Sequence, residues 1–162
     1  MRLYICRHGK AHPDSASGRD FDRELMSRGV QQAEYLAKEL GNATPRAPLV
    51  IASPYTRTRQ TAEPIAAALE ADLCSDERFA CDAGIHGMLS LIQHQYQRHM
   101  PALVLVGHNP DISDLAGVIV HGPLGGGVVS FKTGMCLACT INSPDPVGSG
   151  GEATVLRLEE AD

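Results

Sequence analysis

The run Ala102-Leu-Val-Leu-Val-Gly-His-Asn109 decides the fold: five consecutive apolar residues, then a glycine and a histidine. An unbroken apolar run of this length, without polar alternation, marks a strand covered on both faces, as in a parallel sheet. Working outward, Leu3-Tyr-Ile-Cys6 and Pro48-Leu-Val-Ile-Ala52 have the same character, and each predicts a buried strand. Between them a helix is expected over residues 28–40, where Val30, Ala33, Leu36, Ala37 and Leu40 recur at helical spacing and Gly41-Asn42 stops it. Ser53-Pro54 opens a second helix reaching residue 69, with Ser53 as N-cap and Pro54 in the first helical position. Residues 72–84 read as irregular, and further helices are expected over 85–98 and 110–120. After Gly125-Gly-Gly127 the pattern turns to strands at 128–132, 135–141 and 153–158. Strands alternating with helices, followed by a β-rich tail, give an α/β fold: a three-layer sandwich with a mainly parallel central sheet flanked by helices.

The bulk numbers narrow the function. A chain of 162 residues fits one domain, residues 1–162, around one sizeable core. A net charge of -5 argues against a nucleic-acid or anionic-membrane binder, which carries a basic surplus. No stretch approaches the length of a membrane span, and the apolar run at residues 3–6 is too short for a signal peptide, so a cytoplasmic protein is expected. Five cysteines at irregular spacing make a poor disulfide framework. Cys136-Leu-Ala-Cys139 has the spacing of a metal or redox pair, but it stands alone in an apolar run and reads as core packing.

In a parallel sheet, ligands sit at the carboxyl ends of the strands. Three segments bring suggestive residues there: Arg7-His8 after the first strand, Ser53 to Arg57 after the second, and Gly107-His108-Asn109 after the third. Two histidines and two arginines facing one crevice suit an oxyanion. Arginine offers a fixed fork of donors matched to phosphate oxygens, and a neutral imidazole can attack phosphorus and hold the phosphoryl group covalently. The backbone N–H of Gly9 and those at the start of the helix after His108 are further candidate donors. Arg59 reads as a surface or substrate-rim residue. His8 and His12 are spaced like a metal pair on a helix, but Gly9 and Pro13 break a helix there and no third ligand offers itself. His86, His94, His99 and His121 read as surface residues.

Five stretches together resemble one family. They are Leu3-Tyr-Ile-Cys-Arg-His-Gly-Lys-Ala11; Asp20-Phe-Asp-Arg-Glu-Leu25 with Gly29 and Gln32-Ala33; Ser53-Pro-Tyr-Thr-Arg-Thr-Arg-Gln-Thr-Ala62; Val104-Leu-Val-Gly-His-Asn-Pro110; and Lys132-Thr-Gly-Met135. In this order they resemble the histidine phosphatase superfamily, and within it the small phosphohistidine phosphatases of SixA type. The resemblance implies a phosphoglycerate mutase-like fold, with His8 as the phosphorylated nucleophile and Arg7, Arg57 and His108 binding the phosphoryl oxygens. It implies no metal and no cofactor. Its substrate would be a phosphohistidine-bearing protein or a small phosphorylated metabolite, the alternatives being a phosphatase of small phosphate esters or a non-catalytic phosphate-binding module. Two departures stand out. Leu25-Met26 replaces the Leu-Thr that usually opens the first helix, so Ser27 is expected to cap it. The general acid that larger relatives supply after the second helix has no clean counterpart here, and Glu77 and Asp82 are the candidates. A phosphohistidine leaves as neutral imidazole once its free ring nitrogen is protonated, so a poor acid position is expected to accompany an N–P substrate.

Overall fold

The apolar run at the centre of the sequence lies at the centre of the sheet. The computed structural model describes residues 1–159. Six strands, β1 (Arg2–Arg7), β2 (Leu49–Ala52), β3 (Asp72–Ser75), β4 (Ala102–Gly107), β5 (Cys136–Ile141) and β6 (Gly150–Leu156), form one sheet in the order β3-β2-β4-β1-β5-β6. The first four are parallel neighbours, while β5 runs antiparallel to β1 and β6 antiparallel to β5. Every residue of β4 is buried. Helices α1 (Ser27–Ala43), α2 (Thr56–Leu69), α3 (His86–Gln97) and α4 (Asp111–His121) connect the strands.

The pleat sorts side chains between two cores. Leu3, Ile5, Leu103 and Leu105 point to one face, where Met88, Leu91 and Ile92 of α3 and Ile112, Leu115 and Ile119 of α4 cover them. Tyr4, Cys6, Val104 and Val106 point to the other, under Leu36 and Leu40 of α1 and Ala62 and Ile65 of α2. Alternation of this kind across a strand buried on both faces builds the three layers foreseen from the sequence. Cys136 and Cys139 are free thiols inside this packing, as expected.

Several boundaries differ from expectation, each for a local reason. Helix α1 continues through Gly41 and Asn42, and its cap is Met26, without a side-chain bond; Ser27 is already helical. The start is fixed instead by the Met26 N–H, which donates to the Lys10 carbonyl at 2.9 Å. Helix α2 begins at Thr56, because Ser53 is drawn into the site described below and the cap falls to Tyr55. The edge strand β3 lies in the stretch read as irregular: it is four residues long and largely exposed, so it carries no apolar run to betray it. Residues 128–132 form no strand. Val128 is exposed, and Phe131 turns inward to a buried position where its main chain is bonded by side chains.

The tightest constraint joins the loop after β1 to α1. A Cβ on Gly29 would stand 2.1 Å from the Lys10 carbonyl oxygen, and one on Gly9 would stand 2.6 Å from the Gly29 oxygen. Backbone meets backbone here, so neither partner can rotate away. Gly29→Ala is expected to cost about 2 kcal/mol or more through overpacking, lowering the denaturant midpoint. Gly126→Ala, whose nearest heavy atom would be 3.8 Å away, serves as the near-neutral control in the same unfolding measurement.

Candidate active site

Three parallel strands end level with one another. Arg7 pairs in register with Gly107, and Ala52 with Val106, so the residues following β1, β2 and β4 emerge along one edge of the sheet. Backbone bonds hold the emerging loops: the His8 N–H donates to the Gly107 carbonyl at 3.1 Å and the Ser53 N–H to the Val106 carbonyl at 3.1 Å. A third bond, from the Gly134 N–H to the His8 carbonyl at 2.9 Å, comes from a residue with φ 68°, a left-handed conformation that suits glycine.

His8 is 7% exposed. Its Nδ1 lies 2.7 Å from the Gly9 carbonyl oxygen, which can only accept, so Nδ1 carries the proton. The lone pair is therefore on Nε2, where it accepts a bond from Arg57 Nε at 3.3 Å. Burial, opposed by the Gly9 bond and aided by the charges of Arg57, Arg7 and Arg23, lowers the His8 pKa from 6.5 to about 4. Gly9 contributes through its carbonyl and not as a phosphate donor: its N–H is spent on Thr61 Oγ1 at 3.0 Å, and Thr61 in turn donates to the Arg57 carbonyl.

His108 meets His8 edge-on, with ring centroids 5.3 Å apart. Its Nε2 lies 2.7 Å from Ser53 Oγ, and Ser53 Oγ accepts from the Tyr55 N–H at 3.2 Å, leaving the serine proton free for His108. This network places the single N–H proton of neutral His108 on Nδ1, a buried atom with no partner among the described residues. Burial first, then the charge of His8 and the arginines, lowers the His108 pKa to about 3.

Arg7 and Arg57 frame the two imidazoles. Arg7 donates from Nη1 to the Phe131 carbonyl at 2.8 Å, and its Nε is buried without a partner. Asn109 donates to the same carbonyl while Ser113 bonds both Asn109 and the Phe131 N–H, so the loop that aims Arg7 is braced from α4. Arg57, on the first turn of α2, is 4% exposed and lies over the Tyr55 ring at 5.0 Å. Its Nη1 donates to the Asp20 carbonyl oxygen at 2.9 Å, and Nη2 to Asp20 Oδ2 at 3.2 Å and to Cys81 Sγ at 3.4 Å. A neutral imidazole whose Nε2 lone pair meets only a long bond from Arg57, beside guanidinium groups and two buried unpaired N–H donors, suits in-line attack on a phosphoryl group and neutralisation of its oxygens.

The structure thus brings together Arg7, His8, Arg57 and His108. Glu77 and Asp82 are exposed and bond to none of the four. Arg59 is exposed and pairs with Glu63 at 3.8 Å. Among the described residues no group of three or more His, Cys, Asp or Glu side chains could hold a metal ion. Three participants were not singled out from sequence: Ser53, read only as a helix cap, and Asp20 and Arg23, which sit in a polar loop. The Asp20-Phe-Asp-Arg-Glu-Leu25 segment was itself the available signal.

Fold and site together define a phosphoryl-transfer enzyme of the α/β class. The sequence profile of the histidine phosphatase superfamily (branch 1) matches residues 3–106, and the chain belongs to that superfamily. An uncharacterized protein of Picosynechococcus sp. is 30% identical over 142 residues, covering 83% of this chain and 86% of its own. The putative phosphohistidine phosphatase SixA from Agrobacterium tumefaciens superimposes with a TM-score of 0.74 at 28% identity, covering 86% of this chain and 91% of that one. The corresponding SixA protein from Nakamurella gives 0.80 at 22% identity, covering 99% and 96%. The fold is shared more distantly with mycobacterial glucosyl-3-phosphoglycerate phosphatase, at a TM-score of 0.66 and 16% identity over 95% and 96% of the chains.

An imidazole attacks phosphorus only in its neutral form, and protonation of His8 at falling pH removes that lone pair. The acid limb of kcat/KM is expected near pH 4 rather than 6.5, with activity held down to about pH 5. Between 6.5 and about 4 the unfolded chain binds protons that the folded His8 refuses, so stability falls as pH falls. A pH–rate profile with a substrate of constant ionisation checks the first point, and unfolding midpoints checked against pH test the second.

Proposed function

We propose that this phosphatase removes phosphoryl groups from phosphohistidine on a protein partner, through a covalent intermediate on His8. The observation that carries this reading is that, among the described residues, no carboxylate is placed as a proton donor for the leaving group. Glu77 and Asp82 lie exposed, outside the bonding network of the site, and Asp20, the carboxylate that bonds Arg57, accepts from that guanidinium and lies in charge contact with Arg23. An alkoxide leaving from a phosphate ester needs a proton in the transition state. A phosphohistidine protonated on its free ring nitrogen does not: its P–N electron pair returns to the ring and neutral imidazole departs.

The reaction runs in two steps. His8 Nε2 attacks phosphorus in line, the N–P bond of the substrate breaks, and phospho-His8 forms with its Nδ1 proton still held by the Gly9 carbonyl. Arg7, Arg57 and His108 bind the phosphoryl oxygens; on phosphorylation the Arg57 Nε donor loses the Nε2 lone pair and turns to the oxygen beside it. Water then attacks phosphorus and the P–Nε2 pair returns to His8. The same two steps can serve small phosphate esters, and a non-catalytic module would bind phosphate without forming phospho-His8.

His8→Ala is expected to abolish turnover and to leave no acid-labile phosphoenzyme, and full activity in this variant would refute the assignment. With the wild type, phosphohistidine proteins and phosphoramidate are expected to react at least tenfold faster in kcat/KM than alkyl phosphates such as sugar phosphates. A clear preference for the alkyl esters would overturn the N–P reading while leaving the chemistry at His8 in place.

A further inference from the structure

The second half of the reaction leaves a proton to be moved. Water attacking phospho-His8 must lose one, and none of the four residues above can take it. Arg7 and Arg57 carry only donors. His108 has Nε2 engaged with Ser53 and its proton on Nδ1. His8 is itself the leaving group.

Among the described residues, Asp20 is the carboxylate that bonds Arg57. Asp20 Oδ2 lies 3.2 Å from Arg57 Nη2, on the guanidinium whose Nε is 3.3 Å from His8 Nε2. A single guanidinium therefore spans the nucleophile and the carboxylate. Asp20 Oδ1 lies 2.9 Å from Arg23 Nε, a charge contact too oblique for an aligned hydrogen bond. Each carboxylate oxygen has two acceptor sites, so both retain capacity for a water. The side chain is 59% exposed, against 5% for Arg57, and so it stands at the wet rim of the site where water enters.

Asp20 is also held in place by more than its charges. Arg57 Nη1 bonds its backbone carbonyl at 2.9 Å, and the neighbouring Phe21 ring packs on Tyr55 at 4.9 Å between centroids. Tyr55 in turn packs edge-on against His108 at 4.9 Å. The short 3-10 turn at Asp20–Asp22 is thereby tied to both the arginine and the second histidine. Arg23 serves the arrangement twice: it lies against Asp20, and its charge is felt at both His8 and His108. With Arg57 it offsets the repulsion between a carboxylate and a phosphoryl group.

We propose that Asp20 is the general base for hydrolysis of phospho-His8. In that step a water oxygen forms its bond to phosphorus while the P–Nε2 bond breaks with its electron pair returning to Nε2. One water proton passes to an Asp20 carboxylate oxygen and then to the departing phosphate. The first half-reaction needs no such group when imidazole leaves. Asp20 thus acts in one step of the two, in a place on the chain distant from both Glu77 and Asp82.

The inference rests on the two-step reaction proposed above, and rapid-quench kinetics with phosphoramidate as phosphoryl donor separates the two. Asp20→Asn keeps the shape of the side chain and the backbone bond to Arg57. Phospho-His8 is expected to form in this variant within about threefold of the wild-type rate, and to break down about 100-fold more slowly, so that it accumulates. Hydroxylamine, a neutral nucleophile stronger than water, is expected to shorten the lifetime of phospho-His8 by a larger factor in the variant than in the wild type. Breakdown within twofold of wild type would overturn the proposal. So would equal slowing of formation and breakdown, which marks Asp20 as a residue that only positions Arg57. Absence of phospho-His8 in the wild type would instead refute the two-step reaction itself.

Discussion

The bond from His8 Nδ1–H to the Gly9 carbonyl is the constraint on which the site depends. It is a contact between neighbouring residues, 2.7 Å long, and it fixes which nitrogen keeps the lone pair. The carbonyl can be aimed at the ring only if the main chain at Gly9 takes one path, and that path runs against the backbone of Gly29 and Lys10 with no room for a Cβ on either glycine. Helix α1 is thus part of the active site without contributing a side chain to its chemistry. Thr61 of α2 closes the same corner by accepting the Gly9 N–H, so both helices of one layer brace one residue.

From that corner outward the site is built by register. Level ends of β1, β2 and β4 bring His8, Ser53 and His108 to one edge, and this much was legible in the sequence because unbroken apolar runs reveal buried parallel strands. What the runs could not reveal was the direction of individual side chains. Ser53 followed by Pro54 reads as a helix cap, yet its hydroxyl is committed to His108 and the helix starts later. Gly9 reads as a phosphate donor beside a reactive histidine, yet its N–H is taken by a residue 52 positions away. Asp20 and Arg23 lie in a polar loop without periodicity, where a solvated face is the ordinary expectation; only their long-range contact with Arg57 gives them meaning. The edge strand β3 was missed for the opposite reason, being too short and too exposed to leave an apolar signature.

The site carries a cost in its resting form. Arg7 Nε and His108 Nδ1 are buried without partners, and an unpaired buried donor destabilises a fold by about 1–3 kcal/mol. Such atoms are tolerable where a ligand supplies the missing acceptors, as a phosphoryl oxygen would on the reading proposed above. The surrounding scaffold is correspondingly overdetermined: the Phe131 carbonyl that steadies Arg7 is bonded by Arg7 and Asn109 at once, and the Phe131 N–H by Ser113. Donors of this kind are held in place before the anion arrives, so little reorganisation remains to be done in the transition state.

The same cationic, desolvated surroundings tune both halves of the reaction. A His8 pKa near 4 leaves the ring neutral at physiological pH, so the nucleophile is available without a base to deprotonate it. Lower basicity weakens the intrinsic attack on phosphorus, but it favours the return of the P–N electron pair when water attacks the phosphoenzyme. A more basic imidazole would gain in the first step and lose in the second. On the phosphohistidine reading proposed above, the leaving group of the first step is itself an imidazole that becomes better by protonation, so a modest nucleophile suffices. The demanding step is then the attack of water, and that is the step at which a carboxylate at the wet rim, held by the arginine that also touches Nε2, has the most to contribute.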